Sequence, residues 1–200
     1  MKKGIFLFSL VISITLGAVQ SFAAQSSNKA NFEIVNDENG TLLIEASDLA
    51  FGSHTISASD IYAKALSDSN IKITEYSGLK PGWSLSVELG KFTDQTSQST
   101  IDGVRMFYPT VEPSTSTTGA EQNAPTTSNN NTSFMNELQT GVTVNDTGAS
   151  VKIASAAVGN GYGVWTLPYS GDNRIQLNIP SGQRVGSYQS ALTYTVTEGP

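Results

Sequence analysis

Along much of this chain apolar and polar residues alternate one by one. Ile71-Lys72-Ile73-Thr74-Glu75-Tyr76 does so, as do Trp83-Ser84-Leu85-Ser86-Val87 and Arg174-Ile175-Gln176-Leu177-Asn178-Ile179. A period of two is the signature of a strand, because successive side chains of an extended backbone point to opposite faces. The same reading predicts strands at 31–35, 41–46, 103–108, 141–144, 151–154 and 164–167. It also predicts one long strand over 187–197, with Tyr188, Leu192, Tyr194 and Val196 on one face and Gln189, Thr193, Thr195 and Thr197 on the other. Leu49, Phe51 and Phe92 read as core residues. Pro168 confines the strand of Trp165 to a short or edge position, since proline cannot donate to a ladder. Residues 57–66, with Ser59 or Asp60 as a cap, read as loop or short helix, and 134–138 as a short helical turn.

The tally is roughly nine to eleven short strands separated by Gly, Pro and Asn turns, which predicts an all-β fold, an antiparallel β-sandwich. Residues 110–133 hold little besides Ser, Thr, Asn, Gln, Gly, Ala and Pro and predict a long polar loop, a flexible insertion that lacks the apolar surface to order itself. Repeats of 20 to 50 residues are not evident. One short pattern does occur twice. The chain's two tryptophans each stand two residues before a leucine, as Trp83-Ser84-Leu85 and Trp165-Thr166-Leu167.

The amino terminus departs from this pattern. Met1-Lys2-Lys3, an apolar run to Val19 and the small-residue stretch Ser21-Phe22-Ala23-Ala24 describe a signal peptide over 1–23, followed by a polar lead and a first strand over 24–40 and the main domain over 41–200. No second apolar stretch long enough to span a membrane follows, so the mature chain is expected to have no transmembrane segment. The closing residues 193–200 read as lacking a hydrophobic tail or basic stop, which predicts noncovalent retention at the surface. The chain has no cysteine, which excludes disulfides, thiol nucleophiles and cysteine-bound metals. Its net charge of -6 disfavours nucleic acid as a partner.

Candidate chemistry is sparse. His54 is the sole histidine, no serine lies in a nucleophile elbow, and a zinc site would have only His54 and carboxylates to draw on. Glycoside hydrolysis requires a carboxyl pair, and Glu45, Glu75, Glu88, Asp94 and Asp102 supply carboxyls without any spacing that pairs two of them. Asp172 and Asn173 lack the spacing of a calcium loop. Gly159, Gly161 and Gly163 precede Trp165 and a strand rather than a helix, so they read as a bend or a close backbone approach and not as a phosphate loop. The expectation is no enzyme, no cofactor and no metal. Trp83 and Trp165 admit two roles, packing in the core or stacking on the flat faces of sugar rings.

Taken together, Leu49-Ala50-Phe51-Gly52, the two Trp-x-Leu strands, Ile175 through Pro180, and the ending from Gly186-Ser187-Tyr188 through Leu192-Thr193-Tyr194 to Pro200 resemble the WxL domain family of Gram-positive surface proteins. The resemblance covers about residues 41–200. It implies a secreted protein held noncovalently at the cell wall, binding peptidoglycan and forming complexes with companion cell-surface proteins. It ties Trp83, Leu85, Trp165 and Leu167 to that attachment. A second function is an adhesion or complex-forming subunit that binds another surface protein or a host ligand. Tyr194 stands where the family often has tryptophan, and 110–133 is longer and more polar than usual.

Overall fold

The computed structural model describes residues 42–134 and 137–199. The expected signal peptide, the 24–40 lead and the strand at 31–35 lie outside these residues. The described residues form sixteen strands, β1 to β16 in chain order, in four antiparallel sheets, with two single-turn 3-10 helices at Glu121–Asn123 and Gly171–Asn173. The all-β antiparallel class is as expected.

Two sheets carry the tryptophans. The first runs β1 (Leu42–Ala46), β3 (Ser69–Glu75), β13 (Gly163–Tyr169) and β8 (Ser114–Thr115). The second runs β16 (Leu192–Glu198), β4 (Trp83–Leu89), β12 (Val151–Ala156) and β9 (Thr126–Thr127). In β3, β4 and β13 every second residue is buried along the full length of the strand, so the alternation in the sequence becomes one dry face and one wet face. β1 lies alongside β16 at one side of the pair. At the other side a single segment supplies β8 to the first sheet and β9 to the second.

The third sheet runs β10 (Asn130–Phe134), β11 (Glu137–Asn145), β7 (Arg105–Pro109), β14 (Gln176–Ile179) and β2 (Ile61–Lys64). A small fourth sheet joins β15 (Tyr188–Gln189), β5 (Phe92–Asp94) and β6 (Thr100–Ile101). Inner faces of the three large sheets meet in one core, with Ile71, Ile73 and Leu167 from the first, Trp83 through Leu89 from the second, and Met106, Val142, Val144 and Leu177 from the third. Phe107, on the opposite face of β7, is also buried, because the ring of Phe134 stacks on it at 5.0 Å and 19°. Beside this pair, buried Asn178 accepts from Arg105 Nε and Nη2 at 3.1 Å and donates to Asp60 Oδ2 at 3.2 Å.

Five local expectations are corrected. Residues 57–66 contain strand β2, because pairing of Ile61–Lys64 with β14 outweighs the weak helix cap at Ser59 or Asp60. Of residues 134–138, Phe134 ends β10 and Glu137 and Leu138 begin β11, paired antiparallel rather than helical. The strand expected over 187–197 breaks at Ser190-Ala191, sending β15 to β5 and β16 to β4. Pro168 does not shorten β13, which pairs with β3 over all seven residues, because the neighbouring β8 reaches only Trp165 and Thr166 on the other edge.

The fifth concerns the polar stretch 110–133, expected as a flexible insertion. Instead it forms a strap over the two tryptophan sheets, contributing β8, the 3-10 turn and β9, and then enters β10. Val111, Ala120 and Pro125 are buried beneath it. Besides the backbone pairing of β8 and β9, hydroxyls bonded to backbone tie it down, a partner set that hydropathy does not register. Thr126 Oγ1 donates to Ser155 O at 3.3 Å, Ser128 Oγ to Lys152 O at 2.9 Å, and Thr127 Oγ1 to Val111 O at 2.9 Å.

Candidate functional site

Both Trp-x-Leu pairs point inward. Trp83 and Leu85 are 0% exposed, Trp165 is 1% and Leu167 is 0%. Each indole removes about 150–250 Å² from water, a hydrophobic gain of about 4–6 kcal/mol per ring. An indole N–H buried without an acceptor would offset part of that, and here both donors are satisfied by consecutive carbonyls of one loop. Trp83 Nε1 donates to Gly161 O at 3.1 Å, and Trp165 Nε1 donates to Tyr162 O at 3.0 Å. The two copies of the motif, 82 residues apart in sequence, converge on the turn between β12 and β13.

That turn is fixed from several sides. Gly161 N donates to Asn123 O of the strap at 2.8 Å, and Gly159 N donates to Lys80 O at 2.9 Å. Thr117 Oγ1 accepts from Val164 N at 2.9 Å, while Thr115 Oγ1 donates to Val164 O at 2.7 Å, so two strap threonines bracket the residue before Trp165. Gly161 has φ +72°, and a Cβ built there would lie 2.4 Å from Trp83 Nε1 and 2.4 Å from Ala156 Cβ. Its glycine is required by conformation and by space together. The close backbone approach read from the three spaced glycines is realised against the Trp83 ring.

Above the buried rings sits a surface that the sequence did not single out. Tyr76, 42% exposed, meets Tyr162 edge to face with centroids 5.5 Å apart and an interplanar angle of 85°. Lys80 Nζ stands 5.0 Å from the Tyr162 ring centroid. Leu79 and Val158, 74% and 72% exposed, flank them on the same two turns. Buried Glu75 holds the base of the first turn: its Oε1 accepts from Ser77 N at 2.7 Å and from Ser77 Oγ. The sequence signal for this surface was present only as aromatic residues in turns beside the two tryptophan strands.

At the other end of β4 an open cleft of about 1190 Å³ lies between Leu89, Met106, Leu177, Leu192 and Tyr194 and the coil of residues 47–57. His54 lines it and donates from Nε2 to Phe51 O at 2.8 Å, a loop contact as expected. Tyr194 shares a hydrogen bond of 2.9 Å with Tyr108, and Tyr108 meets Tyr169 edge to face at 5.6 Å. Burial pushes all three phenols upward, Tyr194 to about 12, Tyr169 further and Tyr108 well above its ordinary value, so all three are neutral at any physiological pH.

Of the carboxylates considered for acid–base work, Glu45, Glu75, Asp94 and Asp102 are engaged structurally. Glu45 pairs with Lys72 at 3.2 Å and Asp102 with Lys91. Asp94 accepts from Ser97 Oγ at 2.6 Å and Ser187 N at 2.9 Å, and the Ser97 hydroxyl is the main reason its carboxyl lies below the usual range. Asp172 lies 3.7 Å from Lys64 Nζ. Among the described residues no three His, Cys, Asp or Glu side chains gather in a manner that could hold a metal ion, and no helix is long and apolar enough to cross a membrane.

Residues 25–200 match the protein family described as WxL domain surface cell wall-binding. No curated protein and no solved structure matches the chain.

Proposed function

The chain belongs to the WxL family of surface cell wall-binding domains, and on that premise we propose that it is exported, held noncovalently at the wall of a Gram-positive cell, and binds peptidoglycan there without performing chemistry. The observation that carries this reading is the match over residues 25–200, which begins two residues after the expected cleavage at Ala23. The geometry adds a role for the motif. Trp83 and Trp165 are buried, so they act by holding the β12–β13 turn through their indole N–H groups rather than by lying against the wall themselves. Leu85 and Leu167 extend the same buried rows.

The test is sedimentation of the mature protein with purified peptidoglycan, in parallel with extraction of whole cells by denaturant. The expected result is co-sedimentation and release of intact chain by denaturant alone. A parent protein that stays in the supernatant sinks the reading, and turnover of the glycan would make the protein an enzyme.

The cleft beside Leu89 favours a second reading, a complex-forming subunit with a companion surface protein. At about 1190 Å³, with apolar Leu89, Met106, Leu177 and Leu192 beside polar Ser53, His54 and Arg184, it is of a size that a partner's side chains fill. Recovery of such a complex from cells in which peptidoglycan binding is absent would place this reading first.

A further inference from the structure

Resting on the wall-binding reading, we propose that the surface formed by Tyr76, Lys80 and Tyr162 is the contact site, and that it takes a sugar ring of a peptidoglycan strand together with a carboxylate carried by that polymer. The two tyrosines come from the β3–β4 and β12–β13 turns and meet edge to face at 5.5 Å, leaving partly open ring faces at the end of the molecule where both tryptophans are anchored. Pyranose rings present flat C–H faces that pack on such rings, and exposed Leu79 and Val158 extend the apolar border.

Lys80 supplies the charge. Its Nζ lies 5.0 Å from the Tyr162 centroid, and no carboxylate of the described residues comes within salt-bridge distance. Lys64, Lys72 and Lys91 each have an acidic partner. On a chain of net charge -6, a cation left unpaired and held over an aromatic ring is complementary to an anionic ligand. Its backbone sits at φ +51°, unusual for a residue with a side chain, and is tied by its carbonyl to Gly159 N at 2.9 Å.

The construction beneath explains why the site is rigid. Trp83 and Trp165 fix the carbonyls of Gly161 and Tyr162, Asn123 of the strap fixes Gly161 N, and Glu75 fixes Ser77 beside Tyr76. The buried motif positions the surface, and the surface meets the wall. Side chains already held by backbone on both sides lose little freedom when a ligand arrives.

The experiment measures binding of the mature protein to purified sacculi, either untreated or stripped of phosphodiester-linked polymers. Tyr76→Ala, Tyr162→Ala and Lys80→Glu are compared with Lys152→Glu, which makes the same charge change at an exposed lysine on β12. Matching thermal melts establish that each variant is folded, and exposed Lys80 keeps the test decisive if a tyrosine variant is not. The expected result is a loss of about tenfold in affinity for each of the three site variants, with the Lys80→Glu loss shrinking at high salt and Lys152→Glu binding as the parent does. Site variants that bind like the parent overturn this assignment and leave wall binding standing. Failure of the parent on both preparations overturns the wall-binding reading itself. Binding by the parent to untreated sacculi alone would make the ligand a phosphodiester polymer and overturn the peptidoglycan assignment.

Discussion

The two ends of strand β4 are built alike and finished differently. Trp83 and Leu89 lie about 20 Å apart on the same buried face, with 0% and 1% exposure. At the Trp83 end a glycine turn, the strap and the β3–β4 turn close over the core, and each indole donor finds a backbone carbonyl. At the Leu89 end the coil of residues 47–57 and the stretch 180–190 stand off from the core and leave the cleft. The strand pattern is continuous between them, so the difference lies in the chemistry of the connecting segments. At the Trp83 end hydroxyls and small residues bond the strap and turns onto the sheets, whereas at the Leu89 end hydroxyl contacts such as Ser190 Oγ to Gly90 O at 2.7 Å do not draw the coil of residues 47–57 onto the core.

The largest test of this contrast removes the side chain at each end. Trp83→Ala is expected to lower unfolding free energy by about 4 kcal/mol, and Leu89→Ala by about 2, because a void beside an open cleft relaxes more readily than one under a closed turn. Urea denaturation measures both, and equal losses would remove the distinction.

A finer test uses two glycines in the same backbone conformation. Gly161→Ala forces a Cβ to within 2.4 Å of Trp83 Nε1 at φ +72°, and a loss of about 3 kcal/mol is expected. Gly182, beside the cleft, has φ +76° with nothing within 4 Å of the built Cβ, and its alanine variant should lose only about 1 kcal/mol. Thermal melts of the two variants side by side check the ordering.

The strap offers a smaller effect. Thr117→Val keeps the volume but removes the acceptor for Val164 N, and a loss of about 1 kcal/mol with faster amide exchange at Val164 is expected. Unchanged exchange would show that the strap does not secure the tryptophan turn.

A last test concerns alkaline pH at the cleft end. The Tyr194 phenol has an ordinary value of 10.0 and is raised by burial to about 12 in the folded chain. The folded state therefore holds its proton more tightly than the unfolded state, so the contribution is full below about pH 10 and is lost as pH rises towards 12. Tyr194→Phe should flatten that part of the stability profile in pH-dependent denaturation, although Tyr108 and Tyr169 retain a slope of their own. An unaltered profile would mean that Tyr194 titrates alike in both states.

Strands β3, β4 and β13 were legible because their alternation is long and apolar and their burial follows it, while β7 and β14 were legible as strands although both of their faces are buried. The strap was not legible, because threonine and serine hydroxyls contribute through hydrogen bonds to backbone that comes from distant sequence. The break at Ser190-Ala191 was hidden for a related reason: the side-chain alternation continues across it while the partner strand changes. Within the candidate site, the tryptophans and spaced glycines were visible as motifs. Tyr76, Lys80 and Tyr162 were not, since single residues in turns carry no periodic signal.

The sequence by itself determined the all-β class, the dry faces of the principal strands and the family to which the chain belongs, because these depend on local alternation and on short motifs. Only the tertiary structure decided that both tryptophans are buried and donate to neighbouring carbonyls, that a polar stretch is a strap, and that two turns meet in an exposed aromatic surface. Those outcomes depend on which backbone groups, far apart in the chain, are brought within hydrogen-bonding distance, and that is settled by sheet pairing rather than by any local pattern.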